Sequence, residues 1–111
     1  MAFFRIGSLP HDPLAASAAF YAQVLPQVLD RLAGGESAIT LIFAPAAHAH
    51  RDWREAAIAT LAREQAPNRI NGIASDDEPA IAAALAYLDS AGGITGQFLP
   101  LDSVGAGSVL G

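Results

Sequence analysis

The sequence predicts an α/β protein of three layers, built on a mostly parallel four-stranded sheet in the order β-α-β-α-β-α-β. Three observations lead there. Short apolar runs alternate with longer segments whose apolar residues recur at helical spacing. The run Ala38 to Ala44 (AITLIFA) has no polar face, as expected of a strand covered on both sides. The connections between runs are long enough to hold helices, which is how parallel strands are joined by right-handed crossovers.

Ala2 to Gly7 is a short apolar run closed by glycine and reads as the first strand. Ser8-Leu9-Pro10-His11-Asp12-Pro13 then carries the turn residues of a loop. Leu14, Ala18, Tyr21, Leu25, Val28, Leu29 and Leu32 mark a helix that Gly34-Gly35 ends. Pro26 lies inside it and is expected to bend it or remove a hydrogen bond. After the strand at Ala38 to Ala44, helical spacing returns over Trp53 to Gln65 until Pro67 stops it, and Arg69 to Ala74 (RINGIA) reads as a third strand. Asp76-Asp77-Glu78-Pro79 opens the next helix, because acidic side chains favour the positive end of the helix dipole and proline suits the first turn. Its core side is Ile81, Leu85 and Leu88, with Gly92-Gly93 terminating it, and Gln97 to Leu101 is the last strand. Residues 1–104 are expected to form one domain and residues 105–111 a flexible tail.

Composition narrows the function classes. The chain carries a net charge of −5 over 111 residues. All its basic residues are arginines, scattered at Arg5, Arg31, Arg51, Arg54, Arg63 and Arg69, whereas nucleic-acid binding needs clustered positive charge, so no nucleic-acid partner is expected. The lack of cysteine excludes disulfides, thiolate metal sites and thiol catalysis, and is compatible with the reducing cytoplasm, the expected location. No stretch reaches the roughly 18 apolar residues that span a bilayer, so a soluble protein without a membrane partner is expected. A hydrophobic content of 52% points to helices buried on more than one side, or to an oligomer interface.

Two motifs in register carry a family resemblance. Ile94-Thr95-Gly96-Gln97-Phe98-Leu99-Pro100-Leu101-Asp102 resembles the last strand of the short-chain dehydrogenases/reductases (SDRs). Leu61-Ala62-Arg63-Glu64-Gln65-Ala66-Pro67-Asn68-Arg69-Ile70-Asn71-Gly72-Ile73-Ala74 is similar to the family passage that precedes it at the same distance. Ala80 to Ser90 resembles the helix between them, and Val24-Leu25-Pro26 a helix upstream. The resemblance spans about Ala22 to Asp102 and implies a truncated Rossmann-like fold, the C-terminal half of the family's sheet.

The same resemblance implies that the family's chemistry is missing. SDR catalysis uses a tyrosine whose phenol is acidified by a nearby lysine, and this sequence has no lysine. In register, the lysine falls on Arg51, the tyrosine on Ala47, the serine on Ala44 and the asparagine near Pro13, while Ser75-Asp76 replaces the usual proline-glycine pair. Arginine is a poor geometric substitute for that lysine. Tyr21 and Tyr87 lie on the first and third helices, out of place for the role. No glycine-rich dinucleotide turn precedes a helix, and Gly105-Ala106-Gly107 with Gly111 lies in the tail. No catalytic residue and no cofactor are therefore assigned.

Other groupings have competing readings. His48-Ala49-His50-Arg51-Asp52 follows the second strand at its carboxyl end, where open α/β sheets hold ligands. His48, His50 and Asp52 are candidate metal ligands without a firm third partner; the alternative is solvated loop histidines, with Asp52 capping the next helix. Ala44, His48, His50, Arg51 and Trp53 are the candidate cleft. Trp53 and Arg54 either line it or, in the tryptophan's case, anchor a helix to the sheet or a neighbour. Asp76-Asp77-Glu78 reads as an acidic cation site or, more simply, a helix start.

The expected function is a catalytically inactive SDR-like module that self-assembles as a dimer or tetramer, or docks on a full-length reductase. Phe3, Phe4, Tyr21, Leu25, Trp53, Leu61, Phe98 and Leu99 are its candidate interface residues. The alternative is a small-molecule binder, or an enzyme of unrelated chemistry, using the cleft from Ala44 to Asp52.

Overall fold

The computed structural model describes residues 2–101, so the tail expected over residues 105–111 lies outside the described residues. Strand β1 (Ala2–Arg5) leads to a long helical rod made of α1 (Pro13–Ala19), a π-helical turn (Phe20–Val24) and α2 (Leu25–Ala33). Then follow β2 (Ala38–Phe43), a 3₁₀ turn (His48–His50), α3 (Arg51–Glu64), β3 (Arg69–Ala74), α4 (Glu78–Ser90) and β4 (Phe98–Pro100). The strands pair in the order β1-β2-β3-β4, and every pair is parallel. No helix among the described residues is long and apolar enough to cross a membrane.

Alternation along the strands separates two cores. Ile39, Leu41 and Phe43 of β2, with Ile70 and Ala74 of β3, pack against Phe20, Val24, Val28 and Leu32 of the rod and against Ala57, Ile58 and Leu61 of α3. Ile42 and Ile73 point the other way and meet Ile81, Ala84 and Leu88 of α4, with Leu85 and Leu99 partly buried beside them. This makes the three layers. The approach of α3 to the sheet depends on Gly72: a Cβ there would stand 2.9 Å from Ile58 Cγ1 and 3.2 Å from Phe98 Cδ1.

The first helix departs from its expected face. Leu14, assigned inward by spacing, is 81% exposed, and Tyr21 is 44% exposed, whereas the buried residues are Ala16, Phe20, Val24, Val28 and Leu32. Those positions repeat every fourth residue. At about 100° per residue an α-helix would carry such a stripe steadily around its axis, and the wider π turn in the middle rotates it back toward the sheet. Pro26 sits in the first turn of α2, directly after the π segment, so its missing N–H falls at the junction and no helix interior is broken there. The helix also starts earlier than expected, with Asp12 as N-cap accepting from the Ala15 N–H at 2.9 Å and Pro13 in the first turn.

Other boundaries shift little. β1 ends at Arg5, although the Ile6 N–H still donates to the Ile42 carbonyl at 2.9 Å. The helix expected from Trp53 begins at Arg51 after the 3₁₀ turn. α4 starts as expected, with Asp77 as N-cap accepting from the Ala80 N–H at 3.0 Å. At its other end Arg69 donates to the Leu88 and Ala91 carbonyls, where a cation suits the negative end of the dipole.

Candidate functional site

The carboxyl ends of β2, β3 and β4 and the start of α3 enclose a cleft of about 520 Å³. Pro45 and Ala46 come from the loop after β2, Ala74 and Asp76 from the end of β3 and the residues after it, Phe98 and Pro100 from β4 with Leu101 following it, and His48, His50, Arg51 and Arg54 from the 3₁₀ turn and α3. A second hollow of about 370 Å³ lies beside it, bounded by the loop Ile6 to His11, and shares Pro45, Ala46, His50 and Arg54 with the first. Of the expected cleft residues, the structure puts His48, His50 and Arg51 on the first and Ala44 on the second. Trp53 lines neither; it packs against the core, 5.7 Å from Phe20 and 6.0 Å from Phe43.

The two histidines divide. His48 is exposed, as a loop histidine should be. His50 is buried, contrary to the solvated reading, and both its ring nitrogens are engaged. Nδ1 accepts from Trp53 Nε1 at 3.1 Å, and Nε2 lies 2.9 Å from the His11 carbonyl. An indole N–H only donates and a carbonyl only accepts, so the network assigns the neutral ring with its proton on Nε2. That ring ties α3 to the loop before α1 and has no lone pair left for a metal. Asp52 lies in the first turn of α3, where its charge suits the helix dipole, and the N-cap position belongs to His50, which makes no side-chain cap bond.

Arg54 is the least ordinary member of the site. The residue is 6% exposed, yet no carboxylate pairs with it among the described residues. Nη1 donates to the Ala44 carbonyl at 2.9 Å, and buried Nε has no hydrogen-bond partner. The guanidinium carbon stands 4.8 Å from the centroid of the Phe43 ring and 5.8 Å from that of Trp53, which is cation–π geometry. Desolvation by burial lowers the Arg54 pKa from its ordinary value. Arg51, by contrast, is exposed and faces Glu55 at 3.6 Å.

Sequence reasoning placed Arg54 near the cleft but not in the core. A signal was present: Arg54 shares the helical stripe of Ala57, Ile58 and Leu61. Phe98, an expected interface residue, lines the cleft and packs edge-on against Phe43 at 5.6 Å. Among the other interface candidates, Phe3 and Tyr21 are exposed, Phe4 and Leu25 are partly buried against one core and Leu99 against the other, and Leu61 is buried under α3. The apolar surface of Leu61 is therefore already used within the fold.

A parallel sheet with helices on both faces and a cleft across its carboxyl ends defines a Rossmann-like α/β protein. The family model described as short chain dehydrogenase-like protein (SDR-like) matches residues 4–101. The chain belongs to this SDR-like family. No curated protein matches the sequence.

Proposed function

We propose that this chain is an assembly module of the SDR-like family without the family's proton-transfer chemistry, and that it associates through the outer side of β1. The first part is supported at the cleft: Ala44, Ala47 and Arg51 stand where the resemblance puts the serine, tyrosine and lysine, and the Ala44 carbonyl is held by Arg54. None of these side chains supplies a phenol or an amine for proton exchange.

The observation that carries the second part is the outer side of β1, which no strand pairs among the described residues and where the Phe3 carbonyl accepts only a long 3.5 Å bond from Arg31 Nη2. Ile6 N–H points to β2, so by alternation the N–H groups of Phe3 and Arg5 point away from the sheet. An exposed edge of this kind templates another strand. The opposite edge is less suited, because β4 has three residues and ends in Pro100. Phe3 is 42% exposed beside this edge. In a two-fold dimer the two β1 strands run antiparallel.

Light scattering at micromolar concentration tests this. A dimer mass that falls to the monomer in Phe3→Pro, which removes an outward N–H and leaves the β1–β2 ladder intact, supports the reading; a monomeric wild-type protein overturns self-association. Affinity purification of tagged protein from its host separates self-association from docking on a full-length reductase.

A further inference from the structure

We propose that the cleft at the carboxyl ends of β2, β3 and β4 binds a small organic anion, whose carboxylate or phosphate head pairs with Arg54. The argument starts from an imbalance. A guanidinium taken out of water is costly unless charge and hydrogen bonds compensate, and buried arginines are ordinarily matched to carboxylates. Arg54 has a carbonyl and two aromatic faces, with Nε unused. Among the described residues the planar fork has no anionic partner, and such a fork matches a carboxylate or a phosphate in two-point geometry.

The surroundings suit the same ligand. In a chain of net charge −5, the described lining of the cleft carries Arg54 and Arg51, the latter facing Glu55, against one carboxylate, Asp76, which is exposed and forms no ion pair with either arginine. The amino end of α3 opens onto it, adding the positive end of a helix dipole. Apart from His48 and His50 the remaining lining is apolar, and Ala74, Phe98, Pro100 and Leu101 offer a wall for a hydrophobic body. A cleft of about 520 Å³ falls within the size range of small-molecule sites. This site does not depend on the assembly proposed above.

Benzoate, phenyl phosphate and inorganic phosphate in Tris chloride are suitable probes, read by thermal shift and isothermal titration. The expected result is a rise in melting temperature with at least one of them, and a dissociation constant weakened about 10- to 100-fold in Arg54→Met. Benzoate acting alone assigns a carboxylate head; phenyl phosphate acting alone, or with inorganic phosphate, assigns a phosphate. A second readout separates a binding arginine from a structural one. Without ligand, Arg54→Met should melt at the same or a higher temperature, because it removes a buried charge that lacks a counter-ion.

No shift with any probe at millimolar concentration overturns the proposal, and so does a shift that Arg54→Met retains. Should that variant fail to fold, the wild-type protein still decides by NMR. The Arg54 Nε–H resonance must move on titration with the active probe, and one that stays fixed overturns the assignment.

Discussion

The side-chain carbonyl of Asn71 accepts the backbone N–H of Gln97 at 3.1 Å, and its amide donates to the Ile94 carbonyl at 3.1 Å. Next to it, Thr95 Oγ1 accepts from the Ile70 N–H at 3.0 Å, and Gly96, at φ +77°, donates to the Ile70 carbonyl at 2.7 Å. The segments Arg69 to Gly72 and Ile94 to Gln97 are thus two halves of one clip that delivers β4 to β3. Asn71→Leu keeps the bulk but removes the partners of two part-buried backbone groups, and should cost about 1 to 3 kcal/mol in urea unfolding, with faster amide exchange at Gln97. An unchanged midpoint would show that the clip contributes nothing.

Gly72 is predicted to be the most sensitive glycine. Its added methyl meets Ile58 at 2.9 Å inside a packed layer, so Gly72→Ala should destabilise by about 1 to 3 kcal/mol. Combining it with Ile58→Ala should be less damaging than the sum of the single changes, which a double-mutant cycle in thermal or chemical unfolding detects.

Asp77 and Arg5 give a contrast between a cap and a surface ion pair. Asp77→Ala removes the side-chain acceptor at the start of α4 and should cost about 1 kcal/mol. Arg5→Ala breaks the 2.8 Å pair with Glu78 between side chains 49% and 68% exposed, and should change stability by less than about 0.5 kcal/mol. Paired denaturation curves settle the order.

Trp53, the single tryptophan, donates to His50. Trp53→Phe keeps most of the aromatic contact and leaves His50 Nδ1 without its donor. The expected loss is about 1 to 3 kcal/mol, and His50→Phe added to it should recover part of that loss because no buried ring nitrogen then lacks a partner.

Much of this was legible beforehand. An apolar run without a polar face found β2, because a strand covered on both sides has nowhere to put one. The acidic and proline start found α4, since capping depends on residues adjacent in sequence. What spacing missed was long-range or depended on a change of helical pitch. The π turn at Phe20–Val24 alters which residues of the first helix face inward, so spacing predicts Leu14 inward where the structure buries Ala16. His50 was read as solvated because its partners, the His11 carbonyl and the Trp53 indole, are brought to it by folding. The isolation of Arg54 was hidden likewise: no local pattern reports that a charge has no distant partner.

The strand order has a consequence for how the molecule comes into being. Each strand lies beside its successor, with registers Ala2–Ile39, Ala38–Arg69 and Gly72–Phe98, so each βαβ unit has all its pairing partners once its second strand has been synthesised. The sheet can grow on the ribosome in one direction, without waiting for a distant segment to insert between strands already joined, and the loop closed at each step stays short.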